Sequence, residues 1–157
     1  LSKDINVSVY EAKKYINDYL HKFPNVEKFM NETVEKAKKD GYVTTMFGRK
    51  RYVPELSASN KNMQAAGKRI AMNTPIQGSA ADIIKIAMVR VYGRLKKEIP
   101  EARLILQVHD ELIVECSEND ADRAAEILSE EMTHACELKV PLIADVNRGG
   151  SWYDAKG

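Results

Sequence analysis

Apolar and polar residues alternate along this chain with two different periods, and the switches between them mark out the elements. Ser8-Val9-Tyr10-Glu11 has the form of a capping box, with a helix following to about Leu20. Pro24 suits the first turn of a second helix. In that helix Val26, Phe29, Met30, Val34 and Ala37 recur three or four apart, and Gly41 stands where a terminating glycine belongs. The period then shortens. Tyr42–Thr45 and Tyr52-Val53 favour strands, Phe47-Gly48-Arg49 reads as the turn between them, and Pro54 ends the second arm.

From Asn60 to about Ile99 the pattern is helical again. Thr74-Pro75 interrupts it, and a kink or break is expected there because proline lacks the amide N–H and its ring crowds the preceding turn. Beyond it Ala80, Ile83, Ile84, Ala87, Met88, Val91 and Leu95 form the broadest apolar face of the chain, the candidate core. Arg103–Val108 and Glu111–Cys116 read as two strands of a hairpin, with Leu104, Leu106 and Val108 on one side by strict alternation. Asp120–Glu137 reads as an amphipathic helix burying Ala124, Ile127, Leu128, Met132 and Ala135, and Val140–Val146 as a last strand. Trp152, in a glycine-rich tail, is a candidate packing anchor. The order α-α-β-β-α-α-β-β-α-β predicts an α+β fold with a largely antiparallel sheet packed on helices.

Composition narrows the classes. The 157 residues suffice for one ordinary domain with a core, and the residue mixture is that of a soluble globular protein. No apolar run is long enough to span a bilayer and no secretory signal is visible, so no membrane partner is expected and the cytoplasm is the expected compartment. Cys116 and Cys136, with no CxxC spacing, read as reduced, partly buried residues. The chain begins with Leu1 rather than Met, which reads as a piece of something longer. Net charge is +1, unevenly spread: residues 1–100 carry 19 Lys/Arg against 10 Asp/Glu, residues 101–157 carry 5 against 13. The basic part suits a polyanion; lysines on solvated helix faces account for it equally.

Three stretches could carry chemistry. In "LILQVHDELIVE" the titratable residues His109, Asp110 and Glu111 interrupt two apolar arms. Adjacent carboxylates repel unless solvent or a cation compensates. A polar hairpin turn explains them, and so does part of a divalent-ion site, since Mg²⁺ takes one or two carboxylates plus water and phosphate oxygens. A second carboxylate would be needed for two-metal chemistry. Asp82, read as lying at a helix start, and Asp145, in the last strand, lack partner motifs, and His21 and His134 lack ligand-like spacing. In "RIAMNTPIQG", Arg69, Asn73 and Gln77 fall at i, i+4 and i+8, one polar helix stripe of hydrogen-bond donors. Such a stripe could meet the minor-groove acceptors common to all base pairs, or simply face solvent. The basic hairpin tip Arg49-Lys50-Arg51, near Tyr42 and Tyr52, suits phosphate contacts.

In this order, "GYVTTMFGRKRYVPEL", "RIAMNTPIQGSAADIIKIAM" and "QVHDELIVE" resemble the C-terminal fingers and palm part of bacterial family A DNA polymerases, and the likeness covers nearly the whole chain. The resemblance implies fingers-derived helices and a basic hairpin over residues 1–58, and a palm portion over 59–157. It implies a nucleotidyltransferase that extends a primer 3′-OH with deoxynucleoside triphosphates in DNA replication or repair, with two Mg²⁺ ions and primer–template DNA as partners. Asp110 matches the second catalytic aspartate and a metal ligand, Glu111 the adjacent catalytic acidic residue, and His109 a residue supporting the primer end. Arg69 and Gln77 match minor-groove contacts and Asn73 a polar neighbour near the template. Arg49 and Arg51 lie in a segment near the template strand.

Lys68 departs from the family, which has an acidic residue before that arginine, and carries over no role. The first catalytic aspartate and the triphosphate-binding helix lie upstream in the family. The isolated chain is therefore expected to be inactive, to hold Mg²⁺ weakly or not at all, and to depend on an upstream polymerase segment. The alternatives are a non-catalytic duplex-DNA-binding module or half of a split polymerase.

Overall fold

A computed structural model describes residues 2 and 4–156. The chain divides into two units, Leu1–Ile76 and Gln77–Gly157.

The first unit opens with helices α1 (Val9–Lys22) and α2 (Pro24–Asp40). Both halves of the capping box form: the Ser8 hydroxyl accepts from the Glu11 amide, and the Glu11 carboxylate accepts from the Ser8 hydroxyl and, less strongly, from the Ser8 amide, which together lower the Glu11 pKa. Pro24 occupies the first turn of α2, and Gly41 ends it at φ 78°, in the left-handed region that favours glycine. Strands β1 (Tyr42–Thr44) and β2 (Lys50–Tyr52) pair antiparallel, and a 3₁₀ turn over Pro54–Ser57 follows. Val34, Ala37, Val43, Val53, Leu56 and Ala71 make this unit's core. Gly67 has a packing reason: a Cβ there would meet the Leu56 amide nitrogen at 2.8 Å, so the helix carrying it can lie directly on the 3₁₀ turn.

Of the kink or break expected at Pro75, the break does not occur: helix α3 (Lys61–Glu98) runs through Pro75 as one 38-residue helix. An interior proline costs about 3 kcal/mol. The carbonyls it would disturb lie in a turn that is otherwise well held: the Thr74 hydroxyl donates to the Ile70 carbonyl at 2.7 Å, and both Ala71 and Thr74 are buried. Tertiary burial thus outweighs the local penalty. One consequence is that Asp82 sits inside the helix and not at a helix start.

In the second unit the C-terminal part of α3 does supply the core. Ile84, Ala87, Val91 and Leu95 are buried with Leu112, Ala124, Ile127 and Leu128, while Ala80 is exposed. Helix α4 spans Ala121–Thr133, shorter than expected at its C-terminal end. A charge network ties it to α3: Arg94 bonds Glu98, Glu130 and Glu131, and Arg123 bonds Glu98 and Glu126. The two guanidiniums hold the Glu98 carboxyl at a pKa of about 2. Cys116 and Cys136 are free and half-buried, and burial pushes the Cys116 thiol upward.

Strands β3 (Arg103–Val108) and β4 (Glu111–Glu115) form an antiparallel pair with a shift of register. Leu104 lies opposite Val114, yet Leu106 lies opposite Ile113, so Ile105 is an extra, bulged residue. Strict alternation therefore fails on β3. Residues directly opposite share a face, which groups Leu104 and Gln107 with the core-facing Leu112 and Val114. Leu106 and Val108 join Ile113 and Glu111 on the other face, and Leu106 is 45% exposed.

The expected last strand does not form. Residues 140–146 carry no ladder pairing, with a bend at Val140, and among the described residues each sheet has two strands. The alternation is present, with Leu142, Ala144 and Val146 half-buried and Ile143 82% exposed. A strand, however, is defined by its partner's hydrogen bonds, and Pro141 has no donor to give. Trp152 opens the short helix α5 (Trp152–Ala155) and is 43% exposed, with Lys156 Nζ 5.4 Å from its ring centroid, so it does not serve as a buried anchor. The α+β class stands, as helices with two small antiparallel sheets. Among the described residues no helix is long and apolar enough to cross a membrane.

Candidate functional site

The His109-Asp110 pair is the whole loop of the second hairpin, closed by the pairing of Val108 with Glu111. Such two-residue loops need positive φ at the first central position, where glycine or asparagine is usual. Here His109 takes it, at φ 52°, while Asp110 does not share that conformation. A side chain with a Cβ held in this region costs on the order of 1–3 kcal/mol and persists only where the surroundings impose it. Two things impose it here. Leu104, Leu112 and Val114 anchor the strands in the core, and the Gln107 side-chain amide donates to the His109 carbonyl at 2.6 Å.

The tip offers solvent three consecutive exposed side chains: an imidazole and two carboxylates, Asp110 in the loop and Glu111 at the head of β4. Carboxylate oxygens are the hard donors that Mg²⁺ prefers, and Mg²⁺ takes only one or two of them, leaving the rest of its shell to water and phosphate. Asp110, with Glu111 beside it, fits that requirement. Among the described residues no group of three or more His, Cys, Asp or Glu side chains is placed to hold a metal.

Arg69 and Asn73 are exposed on α3 in the first unit, and Gln77 is exposed on the same helix in the second. Because α3 is unbroken, the i, i+4, i+8 spacing is that of one continuous helix. Arg49 and Arg51 belong to the first hairpin. The Arg49 amide donates to the Thr45 hydroxyl at 3.2 Å, and Arg51 lies opposite Val43. Lys50 Nζ lies 4.5 Å from the Tyr42 ring centroid, and Tyr42 meets Tyr52 edge-on at 5.9 Å. The residue that the motif pattern passed over is Gln107. Its only signal was its place two residues before a histidine in a turn position suited to glycine.

The family model for DNA polymerase family A matches residues 1–154. The chain belongs to DNA polymerase family A. It is 45% identical over 156 residues to DNA polymerase I of Caldicellulosiruptor bescii and 47% identical to DNA polymerase I of Bacillus subtilis; each alignment covers 99% of this chain and 18% of the relative. Among solved structures it is similar to the POL domain of Pol1 from M. smegmatis in complex with DNA primer-template and dNTP. That likeness has a TM-score of 0.93 and 42% identity, and covers all of this chain and 28% of that one. This family A chain thus spans about a fifth of the length of the DNA polymerase I relatives it matches.

Proposed function

We propose that these residues form part of a DNA-directed DNA polymerase that extends a primer 3′-OH with deoxynucleoside triphosphates in replication or repair, on the bacterial nucleoid. The observation that carries this reading is the hairpin tip bearing His109, Asp110 and Glu111 in a family A chain. The M. smegmatis relative, solved with primer–template and dNTP, supports the same substrates for this chain.

Residues 1–58 are the fingers-derived part and 59–157 the palm portion. Asp110 contributes one carboxylate to the metal site, and Glu111 sets the charge beside it. His109 supports the primer terminus. Arg69 and Gln77 donate to the minor-groove acceptors at the primer–template end, where those acceptors occupy nearly the same place in every base pair, so correct pair geometry is checked without reading sequence. Asn73 lies near the template, and Arg49 and Arg51 bind the template backbone. Mg²⁺, when bound, supplies activation of the primer hydroxyl and neutralisation of phosphoryl charge.

The 157 residues alone do not polymerise, because two-metal transfer needs a further aspartate and a triphosphate-binding helix that the family carries upstream of these motifs. Primer extension tests both parts. The expected result is no template-dependent product from the chain alone and product once the upstream segment is joined to it. Robust extension by the chain alone overturns the inactivity, and no product from the joined protein overturns the polymerase reading. Product from the two segments mixed but unlinked identifies a split enzyme.

A further inference from the structure

We propose that Gln107 is a positioning residue that aims the Asp110 carboxylate by locking the peptide between His109 and Asp110 in one orientation. The catalytic half of this inference rests on the polymerase reading above; the conformational half does not.

A two-residue hairpin loop with positive φ at its first position has two accessible forms. They differ by a flip of the central peptide plane, and the flip carries the second residue from negative to positive φ. In this loop the second residue is Asp110, so the flip would swing its Cα–Cβ bond and redirect its carboxylate. The ladder does not prevent this, since it ends at the Val108–Glu111 pair and the central peptide lies outside it. Nor does the local residue type, because positive φ at His109 is common to both forms, and the flip changes only its ψ, by about 150°. What distinguishes the forms is the direction of the His109 carbonyl, and that carbonyl accepts from Gln107 Nε2 at 2.6 Å. The bulge at Ile105 places Gln107 on the face of the sheet that it shares with Leu112. A bond to the carbonyl oxygen is lost if the peptide turns over, so the clamp selects one form. A metal ligand must be held within a fraction of an ångström of its working position, and here that precision comes from a side chain that itself touches neither metal nor substrate.

Two variants test the clamp. Gln107→Met keeps the length and loses the donor, and Gln107→Glu keeps shape and polarity but not the N–H. By NMR on the 157-residue chain, the strong intraresidue HN–Hα cross-peak that marks positive φ is expected at His109 and not at Asp110. In both variants it is expected to appear at Asp110 as well. An Asp110 that keeps its original single conformer in either variant overturns the proposal.

The second readout is single-nucleotide incorporation by the longer polymerase carrying the same changes. There kcat is expected to fall about 10- to 100-fold, with the dNTP KM and primer–template affinity held within about twofold; unchanged kcat overturns the positioning role. An Asp110→Ala polymerase that still extends primers would remove the functional reading instead, and the NMR result would still decide the clamp.

Discussion

The two hairpins solve the same backbone problem in opposite ways. Each reverses through a residue at positive φ: Gly48 at 78° in the first, His109 at 52° in the second. Around Gly48 an added Cβ would meet nothing within 4 Å, so only the dihedral calls for glycine. Its loop is held by two backbone bonds, Gly48 N–H to the Thr45 carbonyl and Thr45 N–H to the Arg49 carbonyl, both 3.0 Å, with the buried Thr45 hydroxyl also accepting from the Arg49 amide. The second loop gives up the relaxed residue and is held by a side chain, Gln107, and by strands set in a core. A turn whose positive-φ position needs no particular side chain takes the residue that costs least. A turn that must present an imidazole and a carboxylate side by side accepts strain, and the structure around it supplies the restraint.

The largest test of that contrast is catalytic. On the proposed reading, Asp110→Ala in the complete polymerase would remove a metal ligand, and losing several kcal/mol of charge stabilisation is expected to lower the incorporation rate by about 10³-fold or more. The matching change on the first hairpin, Arg51→Ala, is expected to weaken primer–template binding and leave the maximal rate within about threefold. Steady-state incorporation kinetics measures both, and an Asp110→Ala enzyme of near-normal rate would erase the distinction between the two loops.

Next in size is the footing of the second hairpin. Leu112→Ala is expected to cost about 2–4 kcal/mol in urea unfolding, as buried leucine truncations do. Ile113→Ala, on the half-exposed face that the bulge assigns to Leu106 and Val108, should cost less than half as much. Equal losses would mean that the bulge does not sort the two faces.

The turns themselves respond unequally. Gly48→Ala puts a Cβ at positive φ and is expected to destabilise by about 1–2 kcal/mol. His109→Gly relieves strain while adding freedom to the unfolded chain, so its stability change should stay within about 0.5 kcal/mol of zero. Thermal unfolding reads both. A large loss for His109→Gly would show that the imidazole, and not the strained backbone, is what the hairpin depends on.

The smallest effect lies in the α3–α4 charge network. The Glu98 pKa is depressed to about 2 from an ordinary 4.5, so its contribution is fully present above about pH 4.5 and is lost as pH falls toward 2. Glu98→Gln should flatten that part of the pH–stability curve, and an unchanged slope would assign it to other carboxylates.

What was legible in the sequence was what short-range physics decides. The Ser8–Glu11 cap, Pro24 at a helix start, Gly41 at a helix end and Gly48 in a turn each satisfy a local backbone demand with the residue that meets it most cheaply. The core face of α3 from Ile84 to Leu95 was equally plain, because one period over several turns admits one buried side. The three motifs likewise marked the candidate site residues and the family.

Tertiary structure alone decided the rest. Burial on either side of Pro75 kept α3 whole where proline by itself predicts a break. Residues 140–146 alternate as a strand should, yet pairing is a property of two segments, and among the described residues no strand pairs with them. The bulge at Ile105 is invisible in an alternating pattern, since one extra residue changes which side chains face the core without changing any of them. It leaves Gln107, paired with Leu112, on the face of the core, from where its amide reaches the His109 carbonyl. The sequence determined which groups the hairpin would carry; the fold, through long-range packing and one hydrogen bond, determined how they are held.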